Sequence, residues 1–211
     1  MPTVPRILDK PSKIVCVGRN YAEHAKELGN EVPKEPLIFL KPPSSIIGDG
    51  DSILLPPQSR QVEFEGEIGI LLGETLHHAN EAVAGRAVRA VLAANDVTAR
   101  DLQRLDSQWT RAKGFNTFCP VGEPGATLPP LDDVTLVTRV NGAERQRAHS
   151  TEMVFPIAAL LAYISTIMSL EPGDLVLTGT PAGVGALQDG DVVEVEIEGM
   201  SSVRNPVRSA S

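Results

Sequence analysis

The 211-residue chain is 42% hydrophobic, enough to fill a core, and carries a formal net charge of -8, so no basic field exists to draw in a phosphate backbone or anionic lipid. It is expected to bind neither nucleic acid nor membrane. Cys16 and Cys119 have no CxxC or metal-ligand spacing, residues Met1 to Lys13 have no apolar leader, and the longest greasy stretch, Val154 to Met168, is too short for a comfortable span, which together predict a cytoplasmic protein with reduced thiols.

Aromatic residues are only 4% of the chain, while Val, Leu, Ile, Gly and Pro abound. That mixture favours many short strands joined by tight turns in a single domain over residues 1–211. Ile14 to Val17 opens the pattern as a short strand, followed by Gly18-Arg19-Asn20-Tyr21 and a helix-prone segment, Ala22 to Leu28, stopped by Gly29-Asn30. Asn30 to Pro36 reads as a mobile loop before the strand Leu37 to Leu40 and the turn at Lys41 to Ser45. Helix and loop together have the character of a lid.

Val62 to Leu72 sets Glu63, Glu65 and Glu67 on one parity against Val62, Phe64, Ile68 and Ile70 on the other, the period of a strand with one buried face. Asn80 to Gly85 forms a short capped helix, and periodicity leaves Val88 to Asp96 open between helix and strand. Asp174 to Thr178 and Asp191 to Ile197, each bounded by turn formers, read as paired strands. Pro156 to Met168, apolar nearly all round with Pro in its first turn, is the one buried helix.

A strand places Glu65 and Glu67 on the same side with α-carbons roughly 6.5–7 Å apart, close enough to converge on one cation. An isolated Glu-x-Glu is ordinarily a solvated strand face. Here Asp96 adds a third carboxylate at the end of the apolar run Ala93-Ala94-Asn95, where a buried charge needs a partner. Three hard oxygen donors with no His or Cys among them select magnesium, with manganese as a substitute, and leave octahedral positions open for water and substrate.

The strings Gly18-Arg19-Asn20-Tyr21-Ala22-Glu23-His24, Lys41-Pro42-Pro43-Ser44, Glu65-Gly66-Glu67, Asn95-Asp96-Val97-Thr98-Ala99-Arg100-Asp101-Leu102-Gln103, Lys113-Gly114-Phe115, Thr178 to Gly185 and Arg204-Asn205-Pro206-Val207 occur in an order and spacing that resembles the fumarylacetoacetate hydrolase family over about residues 14–207. Within it the chain is most similar to the compact branch of acylpyruvases, oxaloacetate decarboxylases and fumarylpyruvate hydrolases. The resemblance implies a mainly β fold with a few helices (α+β), a mixed β-sandwich roll, a homodimer, and magnesium held by Glu65, Glu67 and Asp96. Full-length fumarylacetoacetate hydrolases add a fourth carboxylate ligand where this chain has Val17, so water or substrate is expected in that place.

The implied activity is cleavage of a carbon–carbon bond in a small 2-oxo or 2,4-dioxo acid through a metal-held pyruvate enolate, as an acylpyruvate or fumarylpyruvate hydrolase or an oxaloacetate decarboxylase. His24 and Glu27, three apart on one helix face, match the family's acid–base dyad, carried on a segment that orders over the substrate. Lys113 joins them as a catalytic residue, and Arg19, Gln103 and Thr180 are expected to hold the substrate. Two alternatives stand: an isomerase or tautomerase of an unsaturated 2-hydroxy dioate such as 2-hydroxyhepta-2,4-diene-1,7-dioate, and a non-catalytic β domain that binds a cation for stability. Cys119 shows no sign of an activated thiol, and His77, His78 and His149 read as surface residues.

Overall fold

The computed structural model describes residues 11–27, 29 and 31–210. Of the expected features, residues 1–10, the last helical residue Leu28 and the stop residue Asn30 lie outside them. The strands are β1 Ile14–Gly18, β2 Leu37–Lys41, β3 Ile46–Ile47, β4 Ile53–Leu55, β5 Val62–Phe64, β6 Gly66–Leu72, β7 Val88–Asn95, β8 Thr98–Ala99, β9 Cys119–Pro120, β10 Thr135–Val140, β11 Ala143–His149, β12 Leu175–Leu177, β13 Gly185–Ala186, β14 Val192–Ile197 and β15 Ser201–Ser209. The helices are α1 Ala22–Glu27, α2 Glu81–Arg86, α3 Arg100–Leu105, α4 Thr110–Lys113 and α5 Ile157–Ile167.

Two five-stranded sheets, β2-β1-β12-β6-β7 and β11-β10-β14-β15-β4, form the body, with the smaller sheets β13-β5-β8 and β3-β9 beside them. Most neighbours are antiparallel, but β1–β12, β15–β4 and β3–β9 run parallel. Ile68, Ile70 and Leu72 of β6 meet Leu136, Val195, Ile197 and Val203 of the other sheet in one buried cluster, which α5 joins through Leu160, Leu161 and Ile164. The expected mixed β-sandwich roll with few helices is therefore the fold the chain adopts. Among the described residues no helix is long and apolar enough to cross a membrane.

Two expectations change in the structure, and one open assignment is settled. Residues 62–72 do not form one strand with a single buried face: β5 and β6 belong to different sheets, every residue of both is buried, and the chain switches sheets at Glu65. There the Glu65 amide leaves the ladders and donates to Asn95 Oδ1 at 3.0 Å. The segments 174–178 and 191–197 are strands but not partners; β12 lies between β1 and β6, β14 between β10 and β15, and the turn-rich residues between them carry the chain across. The open assignment at Val88–Asp96 resolves as β7, antiparallel to β6 with Gly66 opposite Asn95 and Glu67 opposite Ala94. The helix near the middle is capped as expected, with Asn80 Oδ1 accepting from the Val83 amide at 3.0 Å.

Gly66 is required by space. A Cβ at this position would lie 1.9 Å from Thr138 Oγ1 and 3.0 Å from Gln146 Oε1, so the sheet carrying β10 could not approach so closely. Overpacking of this kind costs about 1–3 kcal/mol. Gly66→Ala is expected to lose about that much in urea unfolding, and Thr138→Ala to return part of it in the double variant, because it removes the clashing hydroxyl.

Asp174 ties the described start of the chain to β12. Its carboxylate accepts from Ser12 Oγ (2.6 Å), the Lys13 amide (3.1 Å) and the Glu171 amide (2.8 Å), and pairs with Lys13 Nζ at 2.5 Å. Burial pushes this carboxyl up, but the bonds from Lys13, Ser12 and Glu171 outweigh it and hold the group below its ordinary value. A carboxyl lowered in the folded state stabilises above its unfolded pKa and loses that contribution as pH falls through the folded one. Asp174→Asn should lower the urea midpoint at neutral pH and leave it nearly unchanged in strong acid.

Candidate functional site

The β6–β7 ladder assembles three carboxylates from two segments. Glu67 is the second residue of β6 and Glu65 the link residue just before that strand, and Asp96 follows directly on the Gly66–Asn95 pair, its amide donating to Glu65 O at 2.8 Å. One oxygen from each of Glu65, Glu67 and Asp96 lies within 4.8 Å of the others, and all three residues are buried. Among the described residues this is the one such group of three that could hold a metal.

Basic side chains crowd the same place. Lys113 Nζ donates to Glu65 Oε2 at 2.7 Å and Asp96 Oδ2 at 2.6 Å, while Lys41 Nζ reaches Asp96 Oδ1 at 2.6 Å and Val97 O at 3.2 Å. Arg100 bonds Glu65 Oε1 through Nη2, Glu63 Oε2 through Nε at 2.8 Å, and Gln103 Oε1 through Nη1 at 2.5 Å. Burial favours the neutral form of Glu65, but the charges of Lys113 and Arg100 outweigh it and hold the carboxyl well below the ordinary range. Burial likewise disfavours the Lys113 ammonium, and Asp96 and Glu65 more than compensate, so it stays charged.

Glu67 is the exception. Its Oε2 accepts from the Gly179 amide at 2.6 Å, and no basic side chain pairs with it among the described residues. Burial, then Asp96 and Glu65, push its carboxyl well above the ordinary value. Among the described residues, the basic side chains bonded to Glu63, Glu65, Glu67 and Asp96 are thus Lys41, Arg100 and Lys113, three against four. A buried carboxylate left without a counter-charge costs several kcal/mol, and a hard cation among these oxygens relieves it. The donor set fits magnesium or manganese.

His24 faces the same cavity, with Glu27 behind it. His24 Nδ1 lies 3.1 Å from Glu27 Oε2, and Glu27 Oε1 accepts from the Gly183 amide at 3.1 Å. A carboxylate accepts, so Nδ1 is the ring nitrogen that donates here, and in a neutral ring Nε2 is then the one that can accept. Helix α1 is held in place rather than displaced: buried Asn20 donates to Thr178 O (2.8 Å) and Phe155 O (3.1 Å), and accepts from the Phe155 amide at 2.8 Å. Arg19 adopts a left-handed backbone, φ 59°, just before this anchor, a conformation non-glycine residues seldom take.

The cavity measures about 50 Å³, several times the ~10–15 Å³ that one water needs. It is bordered by Glu65, Glu67, Asp96 and His24 together with Arg19, Gln103, Lys113 and Thr180. Of the expected site residues only Glu27 does not border it, standing behind His24 at hydrogen-bond distance. Val17 lines the cavity without offering an oxygen, and Cys119, its thiol pushed up to about 12 by burial, is no nucleophile. Sequence reasoning did not assign roles to Lys41, Arg100 and Glu63, nor to Phe39 and Trp109, whose rings meet edge-on with centroids 5.2 Å apart at the cavity wall. Lys41 and Arg100 stand inside the quoted motifs, so the motifs themselves were their signal.

The family model for the fumarylacetoacetate (FAA) hydrolase C-terminal domain matches residues 13–208. The mitochondrial oxaloacetate tautomerase FAHD1 of Arabidopsis thaliana is 41% identical over 207 residues, covering 95% of this chain and 93% of that protein. The crystal structure of 5-carboxymethyl-2-hydroxymuconate delta-isomerase from Mycobacterium smegmatis superposes with a TM-score of 0.89 at 44% identity, over 96% of this chain and 80% of that one. That of 2-hydroxyhepta-2,4-diene-1,7-dioate isomerase from Mycobacterium marinum gives 0.88 at 44% identity, over 96% and 76%. Match, identity and shared fold together establish that the chain belongs to the fumarylacetoacetate hydrolase family.

Proposed function

We propose that this protein enolises a small 2-oxo acid at a divalent cation, magnesium in the first place and manganese as its substitute, and so works as a tautomerase or isomerase. The observation that carries this reading is that His24, paired with Glu27, lines the same cavity as Glu65, Glu67 and Asp96. Those three carboxylates would hold the cation. When bound, it supplies Lewis acidity toward the carboxylate and 2-oxo oxygens of such an acid.

The chain's own residues do the rest. His24 Nε2 takes a proton from the carbon next to the 2-oxo group and delivers it to the enolate oxygen, or to the far carbon of a conjugated acid, while Glu27 holds the Nδ1 proton and stabilises the imidazolium that forms in between. Gln103 has committed Oε1 to Arg100, so its amide nitrogen is the end left to donate to substrate. Arg19 and the Lys113 ammonium supply positive charge for the substrate carboxylate and the developing oxyanion. Phe39 and Trp109 keep one wall apolar and dry, which strengthens each of these interactions. The names of the relatives, a tautomerase and two isomerases, support a proton shift as the outcome.

A second reading keeps the enolising step and adds bond cleavage, as hydrolysis of an acylpyruvate or fumarylpyruvate or decarboxylation of oxaloacetate. It is favoured by the same His24–Glu27 geometry, which would serve equally to activate a water.

The two readings separate when oxaloacetate is given to the magnesium-loaded protein and the enol absorbance and pyruvate are followed together. Tautomerisation predicts accelerated enol decay without pyruvate, whereas cleavage releases pyruvate in step. His24→Ala should lower turnover by about 10²–10⁴-fold with magnesium affinity retained, and Glu65→Ala should lose both. Full magnesium-dependent turnover in Glu65→Ala would show that the ligand set is wrong.

A further inference from the structure

The hydrogen bonds of one buried side chain in β11 fix the polarity of a neighbour in the cavity wall. We propose that Gln146 is a positioning residue that turns the Thr180 hydroxyl into a hydrogen-bond donor aimed at an anionic oxygen of the substrate. The inference rests on the 2-oxo acid reading and names a specificity device within that site.

Gln146 is 1% exposed, and every one of its bonds has a determinate direction. Its Oε1 accepts from the Gly66 amide at 3.0 Å, and its Nε2 donates to Pro181 O at 2.9 Å. A backbone N–H cannot accept and a backbone carbonyl cannot donate, so these two partners settle which end of the amide is which. The second Nε2 hydrogen goes to Thr180 Oγ1, 2.8 Å away. Thr180 must accept there, and its own proton has to point elsewhere.

The cavity is where it can point. Thr180 is 3% exposed and borders the cavity shared with His24, Lys113 and the three carboxylates. Among the described residues its hydroxyl donates to no protein acceptor. A preset donor at that place complements a carboxylate or enolate oxygen and disfavours a group that must itself donate. Because Gln146 also holds the amide of Gly66, between Glu65 and Glu67, one side chain fixes the donor relative to the carboxylates.

Oxalate, a flat dianion with the oxygen pattern of a pyruvate enolate, is the probe, and calorimetry on the magnesium-loaded protein is the readout. Wild-type protein that fails to bind oxalate would count against the 2-oxo acid reading itself. Given that binding, Thr180→Val, which keeps the side-chain volume, is expected to weaken it about tenfold or more, and Thr180→Ser to stay within about threefold. Gln146→Met removes the amide that fixes the direction of the Thr180 hydroxyl, and oxalate affinity is expected to fall to a similar degree.

In the Thr180→Val background and at saturating magnesium, Gln146→Met should add less than about twofold to the oxalate loss, because its effect on oxalate runs through the hydroxyl already removed. Its bond to the Gly66 amide bears instead on magnesium affinity, which titration of magnesium alone reads separately. A merely structural glutamine would give losses that multiply in the double variant, and that result overturns the proposal. So does wild-type oxalate affinity in Thr180→Val, which decides the donor claim even if the Gln146 variant does not fold.

Discussion

Like charges brought together out of water repel strongly, and Glu65, Glu67 and Asp96 are three carboxylates buried with oxygens within 4.8 Å of one another. The surroundings are arranged to offset that repulsion. Lys41 approaches Asp96 from behind the cavity, Lys113 bridges Asp96 to Glu65, and Arg100 ties Glu65 to Glu63. A backbone amide at Gly179 answers Glu67. What these groups leave over, among the described residues, is one carboxyl without a basic partner, Glu67, which burial and its neighbours push toward its neutral form. A divalent cation bound there would complete the electrostatics of the cluster.

The fold delivers these groups through backbone devices rather than long side chains. Changing sheets at Glu65 frees that residue from both ladders, so its amide can take Asn95 and its carboxylate can face Asp96. Gly66 lets the second sheet close to within reach of Gln146, and the Thr178–Gly179 turn holds both Asn20, which anchors α1, and Glu67. The helix bearing the acid–base pair and the strand bearing the carboxylates are therefore fastened to the same turn. Small shifts at that turn would move His24 and Glu67 together, which is the kind of shared support that precise positioning in a site requires.

Much of this was legible in the sequence. Period two placed Glu65 and Glu67 on one side, and a charge at the end of an apolar run marked Asp96 as a residue in need of a partner. The family strings brought in His24, Glu27, Arg19, Gln103, Lys113 and Thr180, and the structure gathers all of them in or directly behind one cavity. Other features were hidden for a physical reason. Gln146 sits between Arg145 and Arg147 in β11, an edge strand whose side chains are mostly exposed, and its contacts exist only because Gly66 and Thr180 arrive from distant parts of the chain. Lys41 looked like part of a turn, since no local pattern distinguishes a buried lysine from a solvated one. The break at Glu65 was invisible because alternation continues unbroken across it, whereas sheet membership is decided by partners far away in sequence.

Anomalous scattering from a crystal soaked in manganese tests the central claim most directly, since it locates the ion without reference to activity. A single strong peak bonded to one oxygen each of Glu65, Glu67 and Asp96, beside His24, is the predicted result. No peak among those oxygens at saturating manganese, or a peak only at the protein surface, would contradict it.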